Sequence, residues 1–277
     1  MIGLCTDSNS QIPPELAERL GVEVVPLTVT IDGEPLLEGV DLGVDDFWAR
    51  VESGTTSITT AAPSPGQFAA AYEALVVRGA TEILSIHVSA DVSSTLQAAR
   101  LAAAGPSVPV RVVDSGTASF GVTCALWEAA KALASGSDVD EAAQAAVRVG
   151  RITRTVFVLG ALEPARRGGR LDKGVAPGPG VPIFSMAGGK MAEVDRVDDL
   201  TSAVDAMAAR IREPGGQLRR VAIGTADPGT ERLAQALAER LRGATEVGDL
   251  LRYRIGPSVG AHTGPGTVGA YWYPVGS

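Results

Sequence analysis

His87 and His262 are the only two imidazoles in this chain of 277 residues, so acid–base or anion chemistry has few places to reside. His262 lies in AHTGPGTVGAYW (Ala261–Trp272), which also contains Gly264-x-Gly266-x-x-Gly269. That spacing matches a dinucleotide-binding fingerprint, which needs a strand before it, a helix after it and an acidic residue about 20 positions on. Eight residues follow Gly269, too few for a βαβ unit, so the nucleotide reading fails. Just upstream, GPSVG (Gly256–Gly260) has the letters of a nucleophile elbow. The following AHTGPG is not expected to start a helix, and the match is taken as chance. GGKM at 188–191 lacks the leading glycine and the hydroxyl of a phosphate-binding loop, and neither histidine sits in an H-E-x-x-H pattern.

Hydroxyls are more informative. TDSNS follows Cys5, SADVSSTLQ follows Val88, DSGTAS follows Val113, and TTAAPSP (Thr59–Pro65) precedes an expected helix. Ligands gather at the carboxyl ends of parallel strands, and all four turns are expected on one edge of such a sheet. Ser, Thr and Asp are also favoured helix caps, but four on one edge favour a polar site. Hydroxyls, a histidine and an arginine without a base–nucleophile motif suit binding an anion such as a carboxylate better than cleaving a bond. A Ser-His-Asp hydrolase built from Ser93, His262 and Asp7 or Asp114 remains open.

These residues need a frame. Ile2–Cys5 reads as a buried strand, Pro13–Leu20 as a helix, and VEVVPLTVTIDGEPLLEG as β-rich with an Asp32-Gly33 hairpin turn. Helices are expected over Val44–Val51, Pro65–Val77, Ser93–Ala103, Gly121–Ala134 and Asp138–Ile152, with strands at EILSIHVS and VRVVD. This alternation predicts an α/β fold whose N-terminal domain is a parallel, Rossmann-like sheet covered by helices. Thr155–Gly160 is read as its last strand. Seven glycines and three prolines between Gly168 and Gly189 predict a loop region. Beyond it come a β segment, helices over Leu200–Arg212 and Pro228–Arg242, the strand RRVAIGTA between them, and two terminal β segments. The expected division is 1–155 and a smaller C-terminal α/β domain, 156–277, that includes the loop 168–189.

Composition excludes several classes. A net charge of −8 leaves no basic footprint for nucleic acid or anionic membranes. Apolar runs such as Ala69–Val77 and Leu126–Leu133 fall short of about 20 residues, so no membrane-inserted segment is expected. No signal peptide is visible, and Cys5 and Cys124 form no disulfide or metal framework. A cytoplasmic protein with inert thiols is expected. His87, within an apolar strand, is read as a satisfied core histidine.

Six segments, TDSNSQIP, TTAAPSPGQF, VSADVSSTLQAA, VVDSGTASFG, ALEPARRGGRL and GAHTGPGTVG, occur in an order and spacing that resemble the DegV family of bacterial fatty-acid-binding proteins. The resemblance runs from Ile2 to about Gly269. It implies two α/β domains with one acyl chain enclosed in a tunnel, the carboxyl group near the domain junction. It also implies no cofactor, no catalysis by the chain itself, and a fatty acid kinase partner that makes the acyl phosphate. By residue, it implies carboxylate contacts from Thr60, Ser93, His262 and Arg170. Asp7, Ser8 and Ser115 are expected to support these residues indirectly. The chain departs from the family pattern at Ser94 (glycine), Leu96 (tyrosine), Ala61 and Ala62 (serine and glutamine), Val181 (lysine) and Asp198 (arginine), the last in a stretch associated with partner contact. Two other readings remain: an acyl esterase using Ser93 and His262, and a binding module for another small carboxylate.

Overall fold

A computed structural model describes residues 1–176, 178–213 and 217–275. The chain divides into two compact units, Met1–Gly43 with Thr56–Arg151, and Val44–Thr55 with Ile152–Ser277.

The first unit is built on a parallel sheet. Its elements are β1 (Ile2–Asp7), α1 (Pro14–Leu20), β2 (Val22–Val25), β3 (Thr28–Ile31) and β4 (Glu34–Leu37). After α2 (Val44–Glu52), which belongs to the other unit, come β5 (Ile58–Ala61), α3 (Pro65–Val77), β6 (Glu82–His87), α4 (Thr95–Ala102), β7 (Val110–Asp114), α5 (Phe120–Ala134) and α6 (Val139–Ile152). Strands pair in the order β2-β1-β6-β7, all parallel. Alternate side chains fill two cores, because a parallel sheet is covered on both faces. Leu4, Leu84 and Ile86 pack with Val122, Leu126 and Ala146 of α5 and α6. Cys5 and Ile83 pack with Phe68, Tyr72, Leu75 and Ala99 of α3 and α4. α3 begins at a capping box, Ser64 and Gln67, with Pro65 in its first turn. The expected hairpin forms at Asp32-Gly33, both at positive φ (48° and 91°).

The second unit contains α2, β8 (Arg154–Val158), α7 (Glu163–Arg167), β9 (Val181–Ala187), β10 (Lys190–Val197), α8 (Leu200–Ile211), β11 (Arg219–Thr225), α9 (Glu231–Leu241), β12 (Val247–Arg254), α10 (Pro257–Thr263) and β13 (Val268–Pro274). Its sheet runs β10-β9-β8-β13-β11-β12, antiparallel except for the β11–β12 pair. α8 and α9 bury Val204, Met207, Ile211, Leu237 and Leu241 against Val156, Val221, Ile223 and Val268.

Several expectations change. Thr155–Gly160 does not close the parallel sheet; β8 lies between β13 and β9 in the second one. Pairing with a late strand, invisible to local pattern, decides this. Thr59–Pro65 is not a turn on the parallel-sheet edge, because Ile58–Ala61 is the outer strand of a separate antiparallel sheet, β4-β3-β5. The region 168–189 is not all loop: Val181–Ala187 is a seven-residue strand, its pairing with β10 outweighing the flanking glycines. The second unit is not smaller, the two being nearly equal in length. α2 joins the second unit because Trp48 Nε1 donates to Ile255 O at 2.9 Å, and Phe47 and Trp48 close over Gly260, where a Cβ would meet Phe47 at 2.6 Å.

Candidate functional site

The strand–turn–helix expected to be absent around Ser258 does form, since β12 leads through Ile255 and Gly256 into α10. Pro257 occupies the first helical turn, where its missing N–H is no loss. It is not a nucleophile elbow. Ser258 is buried within the helix and is not among the residues at positive φ, so the strained turn that exposes such a serine is missing.

α10 carries His262 in its last turn. The ring is largely buried and packs against the backbone of the glycine pair after α7: a Cβ on Gly168 would lie 2.4 Å from His262 Nδ1. Arg170 follows that pair, its N–H bonded to Ala165 O (3.0 Å) and its carbonyl accepting from Met191 N (2.7 Å). Burial, and then the nearby Arg170 charge, lower the His262 pKa from 6.5 to about 4. At neutral pH the imidazole is therefore uncharged, and the cation beside it is the guanidinium. The chain leaves α10 through Gly264 and Gly266, both at positive φ, and Gly266 approaches Gly160 so closely that a Cβ would lie 2.8 Å from Gly160 Cα. Gly269 lies inside β13, against Phe157. A helix precedes these glycines and a strand follows, the reverse of the nucleotide fingerprint.

In the first unit, the loops after β1, β6 and β7 leave the carboxyl edge of the parallel sheet. Ser93 stands between β6 and α4, half-buried, its Oγ 2.8 Å from Thr95 Oγ1 and accepting from Thr95 N at 3.3 Å. The helix cap is Ser94 rather than Ser93, and its side chain makes no capping bond. Asp7 is fully buried. Its Oδ1 accepts from Asn9 N (3.1 Å), and its Oδ2 accepts from Val88 N (3.1 Å) and faces His87 Nδ1 (2.9 Å). Ser8 Oγ donates to Glu38 Oε2 at 2.5 Å and accepts from Leu27 N at 2.9 Å. Ser115 is buried, its N–H donating to His87 O (3.1 Å) and its Oγ accepting from Thr117 N (3.3 Å). Thr60 sits on β5, half-buried and opposite Val29. His87 is enclosed as a core residue, edge-on to Phe68.

Thus Arg170 and His262 meet in the second unit, while Thr60, Ser93, Asp7, Ser8 and Ser115 belong to the first. Among the described residues no group of three His, Cys, Asp or Glu could hold a metal ion, and no helix is long and apolar enough to cross a membrane. A pocket beside the glycine-rich segment is lined by Asp172, Val175, Glu193, Asp195 and Arg196. Its carboxylates suit neither an acyl tail nor an acyl carboxylate. Arg196 is committed there, bonding Glu193 and the carbonyls of Ala176, Gly178 and Pro179.

The family model described as an uncharacterised protein of the DegV family matches residues 1–275. The chain belongs to the DegV family. It is 33% identical to the DegV domain-containing protein SCO2569 of Streptomyces coelicolor over 278 residues, covering 97% of this chain and 96% of that one. Among solved structures, a DegV family protein from Thermus thermophilus, described by its fatty acid binding, superposes with a TM-score of 0.89 at 30% identity, with 99% of each chain covered. DegV of Bacillus subtilis, described as a fatty acid binding protein, shares the fold at a TM-score of 0.86 and 22% identity. In this DegV chain, sequence reasoning missed Gly168, whose bare Cα admits the His262 ring. It also missed Asp227, whose Oδ2 accepts from Gly266 N at 2.7 Å and steadies the loop after α10. The Asp227-Pro228-Gly229 turn signature was the available signal for the second. Glu38, the buried carboxylate facing Ser8 and Gln11, had none.

Proposed function

We propose that this DegV-family chain binds one long-chain fatty acid in an enclosed tunnel and presents its carboxylate to a kinase partner for acyl-phosphate formation. The chain is a cytoplasmic, non-catalytic carrier with no cofactor of its own. The observation that carries the reading is His262 packed on Gly168 beside Arg170, two segments more than 90 residues apart joined into one anion-receptive corner. The fatty acid binding of the Thermus thermophilus relative supports the ligand class. In this reading Thr60 and Ser93 donate hydroxyl hydrogen bonds to the carboxylate, Arg170 a charge-assisted one, and neutral His262 a single ring N–H. Without such partners a buried carboxylate is costly. The tail supplies most of the affinity, about 0.8 kcal/mol per methylene or roughly 12 kcal/mol gross for about 15 methylenes, before ordering costs.

Against the hydrolase alternative, both Asp7 oxygens are engaged in the core, and Asp114 accepts from Gly116 N in its own turn and from Ala90 N of the loop after β6.

Native mass spectrometry of the purified protein, followed by denaturing extraction, is expected to release one long-chain fatty acid per chain. Thermal stabilisation by added acids should rise with chain length. A ligand-free protein with no acyl uptake overturns the reading, and flat chain-length dependence points to another carboxylate. Labelling of Ser93 by a fluorophosphonate supports the esterase instead. Trapping of acyl phosphate after addition of a fatty acid kinase and ATP tests the hand-off; its absence removes the kinase step and leaves binding intact.

A further inference from the structure

The loops after β1, β6 and β7, at the carboxyl edge of the parallel sheet, are tied to a buried polar relay that none of the proposed ligand contacts uses. Asp7, Ser85, His87 and Tyr72 are all fully buried, at 0% exposure. His87 Nδ1 lies 2.9 Å from Asp7 Oδ2, and its Nε2 lies 2.6 Å from Ser85 Oγ. Ser85 Oγ is 3.0 Å from Tyr72 OH, which also reaches Ala99 O at 3.4 Å. These spacings match a Ser-His-Asp triad, but with every member sealed from solvent no substrate can reach the serine. Cys5 touches the same serine, and burial pushes its thiol up to about 12, so it stays a neutral thiol.

The relay's two ends bracket Ser93. At one end, Asp7 Oδ2 accepts from Val88 N, the first amide of the segment that leads to Ser93. At the other, Tyr72 meets Ala99 O on α4, the helix that follows Ser93. Between them, Ser89 N donates to Thr117 O (2.8 Å) and Ala90 N to Asp114 Oδ2 (3.3 Å), while Val92 N and Ser93 N both donate to Ser89 O (2.9 and 3.1 Å). The segment therefore has little freedom of its own, and its position follows Asp7 and α4.

Proton bookkeeping couples the ends. A carboxylate only accepts, so Nδ1 of His87 carries a hydrogen. From His87 Nε2 the chain of hydrogen bonds continues through Ser85 Oγ and Tyr72 OH to Ala99 O, so one unbroken path joins Asp7 to α4.

We propose that Asp7, His87, Ser85 and Tyr72 are positioning residues that set the Ser93 hydroxyl for a ligand carboxylate. This rests on the fatty-acid reading above. Tyr72→Phe keeps the ring and removes the end of the relay, and it is read through the affinities of hexadecanoic acid and hexadecanol measured side by side. The expected result is a fall of about three- to ten-fold for the acid, with the alcohol unchanged, since a merely structural defect moves both. Should Tyr72→Phe not fold, Ser85→Ala interrupts the same relay and is read by the same ratio. In protein labelled with ¹⁵N-histidine, His262→Gln assigns the two imidazoles, and the His87 ring signals should shift when hexadecanoic acid binds. An unchanged acid-to-alcohol ratio with a silent His87, in protein that binds the acid, overturns this inference and leaves the function standing. Wild-type protein that takes up no acid overturns both.

Discussion

Gly168 and Gly169 adjoin in sequence yet should fail in opposite ways when replaced by alanine. Gly168 has φ −71° and ψ −4°, a conformation any residue adopts, so the backbone accepts Gly168→Ala without strain. By the unfolded-state argument alone, the change should stabilise by about 0.4–1 kcal/mol. Its new Cβ, however, falls 2.4 Å from His262 Nδ1 and 3.2 Å from both His262 Cε1 and Pro164 O. The carbonyl is fixed in α7, so the imidazole must rotate away. Overpacking costs about 1–3 kcal/mol, which the entropic gain partly offsets, leaving a net loss of about 1 kcal/mol. The larger effect is on the ligand. Moving a donor off a carboxylate costs about 1.5–3 kcal/mol, or roughly ten- to a hundred-fold in affinity. Gly169 has φ 68° with nothing within 4 Å of a Cβ, so Gly169→Ala meets no neighbour but strains the backbone by about 1–2 kcal/mol. The assay pairs urea unfolding with fatty-acid titration for both variants. Gly168→Ala should lose roughly ten- to a hundred-fold in affinity beside a stability loss of about 1 kcal/mol, whereas Gly169→Ala should lose about 1–2 kcal/mol of stability with its affinity unchanged. Full fatty-acid affinity in Gly168→Ala would refute the placement of His262 at the ligand.

Two further outcomes follow from the same geometry. Thr60→Ala with Ser93→Ala should retain the fold and weaken fatty-acid binding by about 1–3 kcal/mol for each lost donor, read by calorimetric titration; unchanged affinity means that the carboxylate lies elsewhere. His262 titrates near 4 in the folded chain against 6.5 ordinarily, so the unfolded chain binds more protons between these values. Its contribution is fully present above pH 6.5 and is lost as pH falls toward 4, about 3 kcal/mol across that window. His262→Gln should therefore flatten the stability–pH curve between pH 7 and 4, and parallel curves for the two proteins would show that the ring is not held neutral.

Much of the first unit was legible because local signals and tertiary structure agree there. The apolar runs of β1, β6 and β7, the Ser64–Gln67 box of α3 and the Asp32-Gly33 turn each act within a few residues. The six motifs likewise carried the family, because order and spacing are properties of the chain itself. The rest depended on partners distant in sequence. β8 reads as a parallel strand until β13, over 100 residues later, takes its edge. β9 reads as loop until β10 pairs with it, and α2 belongs by sequence to the first unit until Trp48 finds Ile255.

For the candidate site, sequence alone determined which chemical groups are present: few histidines, many hydroxyls, an arginine beside a glycine pair. Tertiary structure decided which of them share an environment and in what protonation state. It set His262 against Gly168 and Arg170, where burial removes its charge, and gave Asp7 to His87 rather than to a catalytic serine. Hydrogen bonds and desolvation act over a few ångströms of space, and only the folded chain brings residues so distant in sequence within that range.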